Sequence, residues 1–216
     1  PKEQQDACEF FTSLMDSLPD EITNLFKGTM VNFISGLDIP FEKTKQETFY
    51  TLSVSIKGHN NINSSFQDMI QEEQLTDYEL DNQKTKISAK KYTKISELPK
   101  VLVIQLTRFE YSAITYERIK INDKYEFPLE LNLKDLCKNP IDETSFDYDL
   151  SGIILHSGSA NGGHYFSYIR NNNEWWSLND VEITQVKEQD VLTNSFGGKE
   201  NCLSAYVLFY TKRDYQ

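Results

Sequence analysis

Two stretches of this 216-residue chain carry residue types at a spacing that can do chemistry. The first, Asn161-Gly162-Gly163-His164-Tyr165-Phe166-Ser167-Tyr168-Ile169, puts a histidine on a glycine-hinged approach to a strand pattern. The second, Asn179-Asp180, lies fifteen residues beyond His164 and closes the next apolar segment. An imidazole whose N–H is accepted by an Asn or Asp oxygen has a fixed tautomer and orientation, and such a pair is two-thirds of a cysteine-protease triad. The same residues also fit a plainer reading, a hairpin histidine with a satisfied hydrogen bond followed by an Asn-Asp turn. Trp175 and Trp176 between them fit core and edge packing.

The third member of a triad is a nucleophile, and the chain has three cysteines from which to draw it: Cys8, Cys137 and Cys202. Cys8 lies in the first turns of a helix pattern, where the helix dipole lowers a thiol pKa. It also borders the apolar face of that helix beside Phe11 and Met15, so a small buried residue is the reading we adopt. Nothing nearby in sequence activates Cys137 or Cys202. Three widely spaced cysteines do not make a disulfide framework, which points to a reducing, intracellular setting, cytoplasm or nucleus. No CxxC, HxxxH or HExxH pattern and no glycine-rich phosphate loop occurs, so no metal and no cofactor is expected.

The elements that must hold these residues follow from periodicity. Ala7, Phe10, Phe11, Leu14, Met15 and Leu18 recur at helical spacing over Gln5–Leu18, with Asp6 and Glu9 near the N-terminal end and Pro19 as a stop. A loop-rich stretch is expected from there to Lys45. Tyr50, Leu52, Val54 and Ile56 alternate as a half-buried strand. Ile62, Phe66, Met69 and Ile70 suggest a short helix capped by Asn63 or Ser64. Gln71–Lys91 reads as an exposed hairpin or lobe. Val101-Leu102-Val103-Ile104-Gln105-Leu106 suits a strand buried on both faces. Further strands are expected near Arg118–Tyr125, Ser151–His156, His164–Arg170, Trp175–Leu178 and Ala205–Thr211, with Asn171-Asn172-Asn173 as a turn. The sum is α+β with an antiparallel-rich sheet. The net charge of −11 disfavours nucleic acid or an anionic membrane as partner, no segment is apolar enough for a membrane helix, and a cationic ligand or protein tail fits better.

Six blocks, in order from residue 4 to residue 210, together resemble the ubiquitin-specific proteases, papain-like deubiquitinases. Gln4-Gln5-Asp6-Ala7-Cys8-Glu9-Phe10-Phe11 resembles their QQDAxEF helix start, and the stretch from Leu98 to Phe109 their LPxVLxxxLxRF strand. Tyr148–Gly158 resembles the segment ahead of the histidine box. Gly162–Tyr168 and Trp176–Asp180 resemble that box and the box of the third triad residue, and Ala205–Tyr210 resembles the closing AYxLFY strand.

The resemblance implies a papain-like fold in a single partial domain, with residues 1–30 as remaining thumb helix, 31–100 as a fingers-like lobe and 101–216 as palm. It implies hydrolysis of the isopeptide or peptide bond after the C-terminal glycine of ubiquitin, with ubiquitin and ubiquitinated proteins as partners. His164 would be general base and then acid, Asn179 its orienting residue, and Asp180 a neighbour sharing that task. Tail contacts map onto Gln5, Asp6, Phe109, His156, Ser157, Gly163 and Tyr165. The cysteine box, GNTCYxNS in form, does not occur in the chain, which opens on Pro1 and reads as a piece of something longer. This piece alone is therefore expected to be inactive, and a non-catalytic ubiquitin-binding module is the alternative. The finger CxxC pairs of the family are replaced by Ser35-Gly36-Leu37-Asp38 and Glu79-Leu80-Asp81-Asn82, without zinc ligands.

Overall fold

The computed structural model describes residues 5–80, 85–138, 146–198 and 202–215. In chain order its elements are α1 (Ala7–Ser17), α2 (Asp20–Thr23), β1 (Gly28–Gly36), β2 (Glu42–Phe49), β3 (Leu52–Ser55) and α3 (Ile62–Met69). There follow β4 (Glu73–Glu79), β5 (Lys86–Glu97), β6 (Val101–Thr107), β7 (Phe109–Tyr111), β8 (Arg118–Lys120) and β9 (Glu130–Asn132). The chain then runs through β10 (Asp147–Ser159), β11 (Gly162–Asn171), β12 (Glu174–Asn179), β13 (Glu182–Val186), α4 (Glu188–Ser195) and β14 (Leu203–Lys212).

An eight-stranded sheet in the order β13-β12-β11-β10-β14-β6-β3, with β9 paired to β10, forms the centre. Every pairing in it is antiparallel except β3 on β6. The apolar run of β6 is buried on both faces, as its composition predicts. Leu102, Ile104 and Leu106 join the main core with Leu155, Leu208 and Tyr210. Val103 points the other way, into a smaller core with Cys8, Tyr206 and Val207.

That second core is where α1 docks. Asp6 caps α1 by accepting hydrogen bonds from the backbone N–H groups of Cys8 and Glu9 at 2.8 and 3.2 Å. Phe11 then meets Phe26 and Phe209 edge-on, with ring centroids 5.6 and 6.1 Å apart. Burying an aromatic residue there stabilises the docked helix by roughly 2 kcal/mol or more.

The stretch expected to be loop-rich up to Lys45 instead contains β1 and β2, half of a four-stranded sheet in the order β2-β1-β5-β4. Val31 and Phe33 of β1 alternate inward, but β2 is polar along nearly its whole length and exposed except at Phe49. Such an edge strand carries no period-two apolar signal, which is why it reads as loop. The hairpin expected at Gln71–Lys91 is β4 and β5, with 81–84, including Asp81 and Asn82, outside the described residues. Residues 31–100 do not form one lobe, because β3 pairs with β6 and α3 packs beside β3. The cap of α3 is Asn61, two or three residues earlier than expected; its side chain accepts from the N–H of Ser64 at 2.9 Å. The strand expected over Arg118–Tyr125 ends at Lys120, and Tyr125 turns into the core instead.

Candidate active site

His164 sits at the start of β11, opposite Ser157 of β10. Asn172 and Asn173 take left-handed backbone angles (φ 50° and 63°) in the tight turn that joins β11 to β12. That turn sets the register Ser167 to Leu178. One step further along, Asn179 comes level with Phe166, two residues from His164 and on the same face. The result is a contact of 2.6 Å between His164 Nε2 and Asn179 Oδ1. An amide oxygen only accepts, so Nε2 carries the proton and Nδ1 is left as the base. Asp180, at the left-handed turn into β13 (φ 52°), reaches Nε2 only at 3.9 Å, and its side chain is largely exposed.

The expected tail-binding residues gather around Tyr206. The Tyr206 hydroxyl donates to Asp6 Oδ2 at 2.7 Å and accepts from Gln105 Nε2 at 2.9 Å. The Phe109 ring stands edge-on to both Tyr206 and His156, at 5.2 and 5.1 Å. Tyr165 lies against His156 at 4.9 Å, and burial together with the nearby Asp6 pushes its hydroxyl up to about 12. Gln5, Asp6 and Tyr165 line a groove of about 450 Å³ with Phe10, Phe166 and Leu178. The groove thus connects the tail-side residues to the strand ends that bear His164 and Asn179.

His156 is placed differently from expectation. It is 1% exposed and lies beneath the cleft instead of lining it. Burial first, then the Lys120 ammonium, hold its pKa down to about 4, so it is a neutral ring at physiological pH. Gly163 is glycine for the same reason. A Cβ there would come within 2.2 Å of the Ser157 carbonyl oxygen and 2.5 Å of His156 Nε2. At Gly162, by contrast, an added side chain would face open space. Ser157 is half-buried beside it.

None of the three cysteines is placed as a nucleophile among the described residues. Cys8 is buried in the second core, and its thiol is pushed up to about 12 by burial and by Asp6. Cys137 is pushed up to about 11 by burial. Cys202 is exposed at the start of β14. No group of three or more His, Cys, Asp or Glu side chains suited to a metal ion occurs among the described residues. At the end of β1, the Ser35–Asp38 segment is closed by a Gly36 N–H to Phe41 carbonyl bond of 2.8 Å, and the Phe41 and Tyr78 rings meet beside it at 5.8 Å.

Sequence reading missed three groups that support the site. Tyr206 stands in an apolar strand, and its partner Asp6 is 200 residues away. Arg108 is fully buried and donates to the carbonyls of Ala205, Ile121, Asp123 and Phe196 at 2.6 to 3.4 Å. Burial draws its pKa down to about 10. Lys120 is the third. The available signal was a polar or charged residue inside an otherwise apolar strand context, as at Gln105 and Arg108.

An imidazole held by an amide on the neighbouring strand lies at the margin of an antiparallel-rich sheet with a docked helix. The family model for ubiquitin carboxyl-terminal hydrolases matches residues 1–210, and the chain belongs to that family. Among curated relatives, the probable ubiquitin carboxyl-terminal hydrolase FAF of Drosophila melanogaster is 33% identical over 99% of this chain and 10% of its own length. Ubiquitin carboxyl-terminal hydrolase 5 of Schizosaccharomyces pombe is 31% identical over 98% of this chain and 22% of its own. Among solved structures, the SAGA Ubp8/Sgf11/Sus1/Sgf73 DUB module bound to ubiquitin aldehyde superposes with a TM-score of 0.82 at 28% identity, covering 98% of this chain and 50% of that one. The chain therefore spans less than a quarter of these curated relatives.

Proposed function

We propose that this chain supplies the histidine side of a deubiquitinase site, which cleaves the isopeptide or peptide bond after ubiquitin's C-terminal glycine. The observation that carries this reading is the 2.6 Å contact of His164 with Asn179, which leaves Nδ1 as the free base. The nucleophilic thiol comes from outside these 216 residues. Nδ1 takes the thiol proton, and the thiolate attacks the carbonyl carbon of the terminal glycine. The imidazolium then returns the proton to the leaving amine, so that the C–N bond breaks and a thioester remains. Water, deprotonated by the same nitrogen, releases the ubiquitin carboxylate and regenerates the thiol.

Asp6 accepts from an arginine of the ubiquitin tail, by a charge-assisted hydrogen bond. Gln5, Phe109, Tyr165, Ser157 and the Gly162–Gly163 edge form the walls of the channel. His156 acts from beneath, by filling the space under Gly163. Residues 1–30 belong to the thumb side, 101–216 to the palm with β3 and α3, and the four-stranded sheet to the fingers. Three free cysteines support a reducing location inside the cell, cytoplasm or nucleus. Among the described residues no helix is long and apolar enough to cross a membrane. The isolated chain binds without cleaving. The test is release of a fluorophore from the ubiquitin C-terminus by the full-length protein that contains these residues. His164→Ala should abolish it while leaving ubiquitin binding intact, and undiminished hydrolysis by that variant would rule the assignment out.

A further inference from the structure

The hairpin that carries His164 runs past the sheet that should hold it. β10 pairs with β14 only as far as Ser157 opposite Leu203, yet β10 and β11 continue to Ser159 and Gly162. Beyond Ser157, among the described residues, that edge of β10 meets the chain ahead of β14 through one main-chain bond, from the Gly158 N–H to the Cys202 carbonyl at 3.2 Å. The turn itself is fastened by weak bonds, Ser159 Oγ to the Gly162 carbonyl and the Asn161 N–H to Ser159 Oγ, both 3.3 Å. A hairpin attached on one side is marginal on its own, and His164 must hold a hydrogen bond to a separate strand.

Lys120 adds to that single main-chain bond. Its ammonium donates to the carbonyls of His156 at 2.9 Å, Gly158 at 3.2 Å and Cys202 at 2.7 Å. All three protons of the group are thus used, and two of the three acceptors, His156 and Gly158, lie on β10 opposite Tyr165 and Gly163, the residues that flank His164. Among the described residues no carboxylate pairs with Lys120. Burial and the neighbouring Arg108 draw its pKa down to about 8. Such a partly desolvated cation is held by main-chain dipoles alone, which confines it to one geometry. A side chain on the strand paired with that of Lys120 reinforces the arrangement. Phe109, opposite Lys120 on β7, packs edge-on against the His156 ring, and that ring fills the space beneath Gly163.

We propose that Lys120 is a positioning residue for His164: its ammonium bridges three carbonyls at the open edge of the β10–β11 hairpin and fixes the strand on which the imidazole meets Asn179. This rests on the reading of His164 and Asn179 as an oriented pair. Nitrogen-15 spectra of the chain, selectively labelled at histidine and lysine, separate the two claims. In the unaltered chain His164 should show a protonated Nε2 and an unprotonated Nδ1 with well-resolved shifts. If those shifts are averaged, the oriented pair itself is refuted and the proposal falls with it. With the pair present, Lys120→Met should merge the two shifts and raise amide exchange over residues 158–164 by about tenfold or more, as expected for loss of a charge-assisted bond. Lys94→Met is the control. It removes another lysine-to-carbonyl bond, Nζ to Asp135 at 2.7 Å, on the other sheet, and should leave His164 unaltered. Unchanged shifts and exchange in Lys120→Met overturn the proposal, as does an equal response to Lys94→Met. Should Lys120→Met fail to fold, through-hydrogen-bond couplings decide the matter in the unaltered chain. Couplings from Lys120 Nζ to the carbonyl carbons of residues 156, 158 and 202 support the clamp, and their absence refutes it.

Discussion

Arg108 and Lys120, beside the eight-stranded sheet, are drawn in from solvent and tied to main-chain carbonyls, whereas Lys45, Lys86 and Lys90 of the four-stranded sheet pair with carboxylates at the surface. Arg108 and Lys120 between them hold seven carbonyl oxygens around the base of the histidine hairpin. In the four-stranded sheet, Lys45 meets Glu47 at 2.6 Å, Lys90 meets Glu72 at 2.7 Å and Lys86 meets Asp77 at 3.9 Å, all from solvated side chains. A buried donor cannot be given up without stranding its acceptors in a dry interior, while an exposed pair exchanges freely with water. The carbonyl-held cations therefore lie on the side of the molecule that bears His164.

Substitutions can break this contrast, and the largest effect belongs to Arg108. Arg108→Met removes a buried guanidinium from four carbonyls, of which that of Phe196 keeps the Tyr125 N–H, and should cost about 3 kcal/mol or more in urea denaturation; a loss no greater than that of a surface pair would erase the contrast. Gly163→Ala comes next. Its Cβ has nowhere to go between Ser157 and His156, so about 1–3 kcal/mol should be lost, and the His164–Asn179 contact should disappear from the histidine spectrum.

A third effect is read by pH. His156 has a folded pKa of about 4, below its unfolded value near 6.5. The unfolded chain therefore binds the proton more readily, so the contribution is present above about pH 6.5 and is lost as pH falls toward 4. His156→Phe should flatten the stability profile across that window, and an unchanged slope would mean the ring is not held neutral. The smallest effect sharpens the contrast from the other side: Lys90→Ala should leave the unfolding midpoint where it is.

What the sequence made legible follows from locality. The α1 pattern, the β6 run and the two boxes around His164 and Asn179 are short stretches whose meaning lies in near neighbours, and periodicity with turn chemistry was enough. β2 and β13 stayed hidden because exposed edge strands need no apolar alternation. α4 has few apolar residues to mark it, with Val191 as its buried anchor. The supports of the site were less visible still. Tyr206 and Lys120 act on residues 200 and 36 to 82 positions away, and Gly163 is explained by a histidine that sequence alone places in the channel. Those links exist only once the sheet order is known.

The central claim is that Asn179, and not its neighbour, aims the imidazole. In the full-length protein with its nucleophile, kcat/KM for ubiquitin release should fall about 100-fold or more for Asn179→Ala. For Asp180→Ala, whose exposed carboxylate is 3.9 Å away, it should change less than about threefold. A loss confined to Asp180→Ala, with Asn179→Ala near the unaltered rate, would contradict the account.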